Sequence, residues 1–123
     1  MKKFWIFIFF SCFLTCFSQI DPSKTETGTA SFYAKKFEGR KCSSGQRFHH
    51  DSLTAAHKTL KFGTKVKVIN IKNDSVVFVT VNDRLPKSSK RKIDLTMRAA
   101  KQLNFVKSGL TKVRIEVLKD SLP

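Results

Sequence analysis

Acidic residues are scarce in this sequence: nine Asp and Glu stand against 24 Lys and Arg, giving a net charge of +15 over 123 residues. Cysteine is scarce too, and three cysteines are too few to staple a small disulfide-rich fold. A chain below about 150 residues has room for one domain, and a hydrophobic fraction of 41% excludes full disorder. The sequence also lacks internal repeats, a phosphate-binding loop, a dinucleotide fingerprint and a nucleophilic Ser elbow.

Long hydrophobic runs are confined to the amino terminus. Lys2 and Lys3 precede about fourteen mainly apolar residues, which include six of the twelve Phe, and Ser18 follows them. A basic start, an apolar segment and small residues at its end are typical of a secretory signal peptide, here residues 1–18. The run is shorter than the ~20 residues of a membrane-spanning helix, so an uncleaved anchor is the less favoured interpretation. Lipidation of Cys16 after export is a further, less favoured alternative.

Export changes what the charge and the cysteines imply. Removal of residues 1–18 lowers the net charge from +15 to +13 and leaves Cys42 as the only cysteine, which excludes an intrachain disulfide. A basic surface attracts any polyanion, and outside the inner membrane these are the cell wall, anionic lipid and lipopolysaccharide. We therefore expect a monomer in the periplasm or at the outer membrane or cell wall, with no nucleic-acid partner and no stable membrane span.

Strand patterns dominate the rest of the chain. Residues 19–27 are polar and are interpreted as a flexible leader after the cleavage site. Strand formers then recur in four segments, namely 29–33, 65–71, 76–81 and 112–118. These segments predict one mainly-β domain over residues 28–118, folded as a small barrel and followed by a short tail at 119–123.

Two loops and one helix interrupt the strands. Residues 35–51 are crowded with charge, Gly, Ser and His, and a loop of this length is uncommon in compact domains unless it carries function. A second, strongly basic loop covers Lys87–Lys92. An apolar stripe at helical spacing predicts a short helix after Asp94 or Thr96, either of which can cap it.

The small number of acids allows candidate catalytic carboxylates to be sorted individually. Six fall in the leader, the tail, a turn, a helix cap or an outward strand position: Asp21, Glu26, Asp74, Asp94, Glu116 and Asp120. Of the other three, Glu38 and Asp51 lie in the charged loop, and Asp83 lies where a strand ends. Burial there can raise the pKa of the Asp83 carboxyl, which suits a general acid. A turn hydrogen bond or an ion pair with Arg84 is the alternative, which the bare residues favour.

The histidines offer one further candidate. His57 lies in a stretch of small and apolar residues, where a histidine is more often a buried structural group than a catalyst. No second cysteine or acid stands at zinc-ligand spacing from a histidine. We therefore expect no metal and no other cofactor.

Five motifs follow one another in a fixed order. They are Gly28-Thr-Ala-Ser-Phe-Tyr33, Lys41-Cys-Ser-Ser-Gly-Gln46-Arg-Phe48, Leu53-Thr-Ala-Ala-His57, Val79-Thr-Val81-Asn-Asp83-Arg84 and Arg91-Lys-Ile93-Asp94-Leu95. Over about residues 28–118 the sequence closely resembles the RlpA (rare lipoprotein A) family. The resemblance implies a single-domain, six-stranded double-psi β-barrel with one or two short helices. It also implies a peptidoglycan lytic transglycosylase that cleaves glycan strands and forms 1,6-anhydro-muramic acid.

The resemblance also implies roles for individual residues. The acid of the Asn-Asp-Arg motif matches Asp83, and the histidine of the Thr-Ala-Ala-His motif matches His57, so these two are the expected catalytic residues. Gln46 stands where the family commonly has Glu; it cannot transfer a proton at neutral pH, although it can hydrogen-bond a sugar. The expected substrate-binding residues are Gln46, Arg84, Tyr33 and Asn82.

One carboxylate can suffice for this reaction, whereas a hydrolytic glycosidase normally needs two. The nucleophile of a lytic transglycosylase is the C6 hydroxyl of N-acetylmuramic acid in the substrate itself. Asp83 would then act as acid to the leaving oxygen and as base to that hydroxyl, with the basic loop Lys87–Lys92 helping to hold the polymer. The alternative function, favoured by Gln46, is a non-catalytic, expansin-like peptidoglycan-binding module that uses the same groove.

Overall fold

The computed structural model describes residues 20–118, and the predicted signal peptide and tail lie outside them. The strands within this range are β1 (Ile20–Phe32), β2 (Thr54–His57), β3 (Lys65–Asn70), β4 (Val76–Arg84), β5 (Ile93–Leu95) and β6 (Thr111–Leu118). One helix, α1 (Met97–Gln102), and a 3₁₀ turn (Lys35–Phe37) accompany them in the same range. The predicted mainly-β domain with one or two short helices is confirmed.

The six strands close into a barrel in the order β1-β5-β2-β4-β3-β6. The β1–β5 and β2–β4 pairs are parallel, and the other four pairs are antiparallel. Closure of the ring gives each described strand two neighbours, so its backbone groups are paired on both sides. The predicted six-stranded barrel is confirmed.

The start of the domain differs from the sequence prediction. Residues 20–27, expected in a flexible leader, belong to β1, and the run from Thr25 to Ala30 pairs with β6. The register shifts between Ile20 and Thr25. Threonine is a good strand former, but polar residues on an outward face give no hydrophobic signal, and the segment therefore looks unstructured in the sequence.

The inside of the barrel is filled mainly by aliphatic side chains. Alternate residues of β3, β4 and β6 point inward and are buried: Val66, Val68, Val77, Val79, Val113, Ile115 and Val117. Helix α1 adds Ala99 and Ala100 to this core. Thr96 is the N-cap of this helix, and its Oγ1 accepts a hydrogen bond from the Ala99 N–H at 3.2 Å. Of the two predicted caps, Thr96 is the one used, and Asp94 lies in β5.

Strand β2 brings two carboxylates to one face of the sheet. The register between β2 and β4 shifts by one residue between Ala55 and Ala56, so the inward alternation of β4 ends before Asp83. Ala56 is the register partner of Asp83 in β4 and also of Asp94 in β5. In-register residues project from the same face, and their backbones lie two strand spacings apart, about 10 Å. The neighbours Ala55 and Leu95 point into the core. The two carboxylates therefore lie on the outer face of the barrel, one on each side of β2.

Candidate active site

Asp83 is held by three donors from different parts of the chain. Its Oδ2 accepts a hydrogen bond from the Tyr33 hydroxyl at 2.5 Å. Its Oδ1 accepts from the backbone N–H groups of Ser43, at 2.8 Å, and Arg84, at 2.9 Å. Because Tyr33 follows β1 and Ser43 lies in the long charged loop, the carboxylate is fixed only when all three segments are folded together.

The pKa of the Asp83 carboxyl is shifted downward. Burial raises the pKa of its carboxyl, but the hydrogen bonds from Tyr33 and from the Ser43 and Arg84 amides outweigh it, and the pKa is lowered. The carboxylate is thus ionised at neutral pH and suits a base. A raised pKa, which would suit a general acid, is therefore not found, and the hydrogen-bonded carboxylate agrees with the alternative that the bare residues favoured.

A small hairpin over residues 41–47, here called the 41–47 hairpin, supplies one of these donors. Its arms meet in an antiparallel bridge between Lys41 and Arg47, and the Cys42 N–H donates to the Gln46 carbonyl at 2.7 Å. Gly45 turns the tip with a φ of 96°, a left-handed conformation that favours glycine. This turn places the Ser43 N–H against Asp83.

The same hairpin brings Gln46 next to Asn82. The Asn82 Nδ2 donates to the Gln46 Oε1 at 3.1 Å, and the Ser44 N–H donates to the Asn82 carbonyl at 3.2 Å. Asn82 is buried, whereas Gln46 is exposed at the hairpin tip. Both predicted substrate-binding residues thus lie beside Asp83, but only Gln46 presents its side chain to solvent.

Tyr33 is held in place by packing against other aromatic rings. Its ring centroid lies 4.2 Å from that of Phe48 and 6.0 Å from that of Phe37. Phe48 is buried and meets the ring of His50 edge-on at 4.7 Å. The His50 Nδ1 accepts a hydrogen bond from the Met97 N–H at 3.1 Å, which ties the long loop to the start of α1. Tyr33 is therefore anchored from the helix side as well as by Asp83.

His57 makes its hydrogen bonds away from Asp83. Its Nδ1 accepts from the backbone N–H groups of Thr59 and Leu60, both at 3.1 Å. The proton of the neutral ring is therefore on Nε2, which donates to Glu26 at 3.0 Å. The residue is 2% exposed, and these three hydrogen bonds occupy both ring nitrogens. These contacts are those of a buried structural histidine that joins β2 to β1.

The strand register places His57 on the other face of the sheet. It pairs with Ile93, a core residue, whereas Ala56 pairs with Asp83. The structure does not bring His57 and Asp83 together, and a catalytic role for His57 remains a prediction. Arg84 also turns away: its guanidinium lies 4.3 Å from the centroid of the Phe62 ring, and its contact with the Asp83 carboxylate is through the backbone.

Asp94 is the site residue that the sequence prediction missed. Its Oδ1 accepts a hydrogen bond from the Ser31 hydroxyl at 2.8 Å, and the Arg91 Nη1 donates to the Ser31 oxygen at 2.7 Å. The same Arg91 nitrogen lies 3.9 Å from the Asp94 Oδ1. One residue of the predicted basic loop thus reaches the site. A charged residue between two apolar ones in Ile93-Asp94-Leu95 is the strand signal that could have found it.

The pKa of Asp94 is shifted opposite to that of Asp83. Burial raises it, since the residue is 8% exposed, and the negative charge of Asp83 raises it further. The Ser31 hydrogen bond and the Arg91 charge lower the pKa, but by a smaller amount than burial and Asp83 raise it. When the surroundings of two neighbouring carboxyls shift their pKa values in opposite directions, the pair is suited to act as one acid and one base. Asp83 suits the base and Asp94 the acid.

Cys42 is not a reactive thiol in this setting. It is a free, buried cysteine at the base of the 41–47 hairpin. Burial, with a smaller contribution from the Asp83 charge, raises its pKa to about 11. The thiol is therefore protonated at neutral pH and weakly nucleophilic.

Within residues 20–118, no group of three or more His, Cys, Asp or Glu is arranged to hold a metal ion. None of the helices in the described part of the chain is long and apolar enough to cross a membrane.

Known proteins resemble the chain in both sequence and fold. The Endolytic peptidoglycan transglycosylase RlpA of Neisseria meningitidis serogroup A is 48% identical over 92 residues, covering 75% of this chain and 38% of that protein. The protein of the same name from Campylobacter jejuni is 45% identical over 95 residues, covering 77% of this chain and 34% of its own length. The chain spans about a third of the length of these curated relatives.

A solved structure extends the comparison to the fold. The Streptomyces papain inhibitor superposes with a TM-score of 0.61 at 20% identity, covering 76% of this chain and 94% of that one, which shows a shared fold alone. A family model described as "Lytic transglycolase" matches residues 25–115, a range that contains both carboxylates of the site. The chain therefore belongs to the lytic transglycolase family, and the resemblance to RlpA proteins with a double-psi β-barrel is confirmed.

Proposed function

We propose that this protein is a peptidoglycan lytic transglycosylase that cleaves glycan strands and leaves 1,6-anhydro-muramic acid ends. The observation that carries the proposal is the pair of carboxyls on either side of Ala56, with the pKa of Asp83 lowered and that of Asp94 raised. The names of the relatives, which describe proteins about three times as long as the matched region, support the same reaction class.

The reaction can be written with each carboxyl in one role. The ionised Asp83 removes the proton from the C6 hydroxyl of N-acetylmuramic acid, and the resulting oxygen attacks C1 of the same sugar. The bond between C1 and the glycosidic oxygen breaks, and Asp94 delivers its proton to that leaving oxygen. Exchange of protons with water then restores both carboxyls. This division of labour differs from the sequence prediction, in which Asp83 performs both steps.

The residues around the pair have supporting roles in this proposal. Gln46 is exposed beside Asp83, so its amide can hydrogen-bond a sugar. Asn82 is buried and holds Gln46, which supports an indirect part in binding. Ser31 and Arg91 orient Asp94 on the other side of β2.

The proposal includes an exported location. The predicted signal peptide favours the periplasm or an outer-membrane or cell-wall association, with the protein acting as a monomer. The positive charge of the chain, +15 in total, then attracts it to an anionic wall polymer. Proteolysis of intact and permeabilised cells, read by immunoblot, tests the location, and gel filtration tests the monomer.

Incubation with purified glycan strands tests the reaction. Mass spectrometry should detect anhydro-muropeptides with the wild type, and Asp83→Asn should lower their rate of formation by at least about 100-fold, the usual contribution of a general base. Asp51→Asn changes an exposed acid of the long loop in the same way and should have little effect. Asp83→Asn should remain folded with a modestly lower melting temperature, because the Asn oxygen can still accept from the Ser43 and Arg84 amides but the charged contact with Tyr33 is lost.

The same experiment separates the enzyme from the binding module. If the wild type forms no anhydro product under any condition but is pulled down by cell-wall material, the non-catalytic alternative replaces the enzyme. If Asp83→Asn is inactive only because it is unfolded, Asp83 is a structural residue and the proposed base is wrong.

A further inference from the structure

We infer that Tyr33 holds the negative charge on Asp83 by donating its phenol hydrogen to the carboxylate, and that it does so in place of the sugar contact predicted from the sequence. The inference rests on the proposed role of Asp83 as a base. It makes Tyr33 a positioning residue, which sets the pH range in which that base is available.

The phenol hydrogen of Tyr33 is already committed. A hydroxyl has one hydrogen to donate, and here it lies in the 2.5 Å contact with the Asp83 Oδ2. The ring is also clamped by Phe48 and Phe37, at centroid distances of 4.2 and 6.0 Å. Swinging the phenol out to a sugar would break these ring contacts and the bond to the carboxylate together.

The other groups that face Asp83 make Tyr33 the main stabiliser of its charge. Asp94 faces it from β5 and repels it, and the protonated Cys42 of the 41–47 hairpin carries no charge. The guanidinium of Arg84 lies over Phe62. Of the hydrogen bonds that lower the Asp83 pKa, the one from Tyr33 is the largest, ahead of the Ser43 and Arg84 amides.

The interaction is reciprocal, which gives a second readout. The pKa of the Tyr33 phenol is raised by burial and by its hydrogen bond to Asp83. Because the chain contains a single Tyr, the NMR signal of a labelled tyrosine ζ-carbon, which responds to hydrogen bonding of the phenol oxygen, reports this residue alone. This signal should follow the acidic titration of Asp83 in the wild type and should stay constant over the same pH range in Asp83→Asn.

The matched variants are Tyr33→Phe, which removes only the hydroxyl, and Phe37→Leu, which leaves the hydroxyl but removes one ring contact. Carboxyl carbon NMR of the full chain, with Asp83→Asn to assign the signal, measures the Asp83 titration in each. Tyr33→Phe should raise its pKa by about one unit, a tenfold rise in proton affinity, whereas Phe37→Leu should leave it unchanged.

Glycan cleavage gives the matching kinetic result. The acidic limb of the kcat/KM profile should move up by the same amount in Tyr33→Phe, and activity should return towards the wild-type value at higher pH with KM little changed. An unchanged Asp83 titration, or a loss of activity equal at every pH with a raised KM, would overturn the inference and restore the predicted sugar contact.

The two proposals fail in distinguishable ways. The two NMR titrations need no glycan, so absence of anhydro product from the wild type contradicts the proposed function and not the link between Tyr33 and Asp83. If Tyr33→Phe does not fold, the tyrosine signal of the wild type and of Asp83→Asn still decides, and a signal that is the same in both at every pH contradicts the inference.

Discussion

Replacement of His57 separates a structural histidine from a catalytic one. In His57→Ala the Thr59 and Leu60 amides lose their acceptor and the Glu26 carboxylate loses its donor. Each orphaned amide costs about 1–2 kcal/mol, and the Glu26 contact adds less because that side chain is 38% exposed. The free energy of unfolding should fall by roughly 2–4 kcal/mol, which lowers the Tm of a domain of this size by at least about 8 °C.

His57→Asn is the discriminating variant. Its side-chain oxygen can occupy the place of Nδ1 and accept at least one of the two amides, so the loss should be only about 1–2 kcal/mol by urea or thermal unfolding. The folded variant should cleave glycan within about threefold of the wild-type rate. A variant that stays folded and loses about 100-fold or more in kcat would refute the structural role, because a general acid or base contributes that much.

Three further outcomes are expected. Asp94→Asn should lower kcat for glycan cleavage by at least about 100-fold with little change in Tm, since the amide keeps the Ser31 contact but cannot donate a carboxyl proton; normal turnover would refute its role as acid. Ionised Asp83 stabilises the fold at pH values above the ordinary Asp pKa of about 4, and this contribution is lost as the pH falls through the lowered pKa of the folded state. The urea midpoint should therefore vary less with pH over that acidic range in Asp83→Asn than in the wild type. Asn70→Ala should lose about 2–4 kcal/mol in urea unfolding, because buried Asn70 joins Leu103, Lys72 and Thr111 by hydrogen bonds; a smaller loss than for exposed Asn104→Ala would contradict this.

The strands of the barrel can be predicted from the sequence because the alternation of apolar and polar residues lies within each strand. Alternating apolar residues in β3 and β6 define inward and outward faces without knowledge of any partner strand. Asp83 could be found for the same reason, since it follows an apolar strand in a chain with few acids. The ordered motifs then implied the family, which the comparison confirmed.

What the sequence could not show depends on distant contacts. The pKa of Asp83 is lowered by hydrogen bonds from Tyr33 and from the Ser43 amide, which come from other segments of the chain, so the direction of the shift could not be worked out from local burial. Asp94 stands just before a helical stripe and was interpreted as a cap, because its pairing with Ala56 and Ser31 is visible only in the closed barrel.

The pairing of β1 with β6 has a consequence for how the protein folds. Gly28 pairs with Val113, so the barrel is closed by strands from opposite ends of the domain. Contacts between remote parts of a chain form slowly, because the loop-closure entropy must be lost before the contacts form. Tyr33 directly follows β1, and its bond to Asp83 forms only once this strand is in place. A chain in which β1 has not yet paired would therefore lack the contact between Tyr33 and Asp83, so this carboxylate is fully held only after the two ends of the domain have come together.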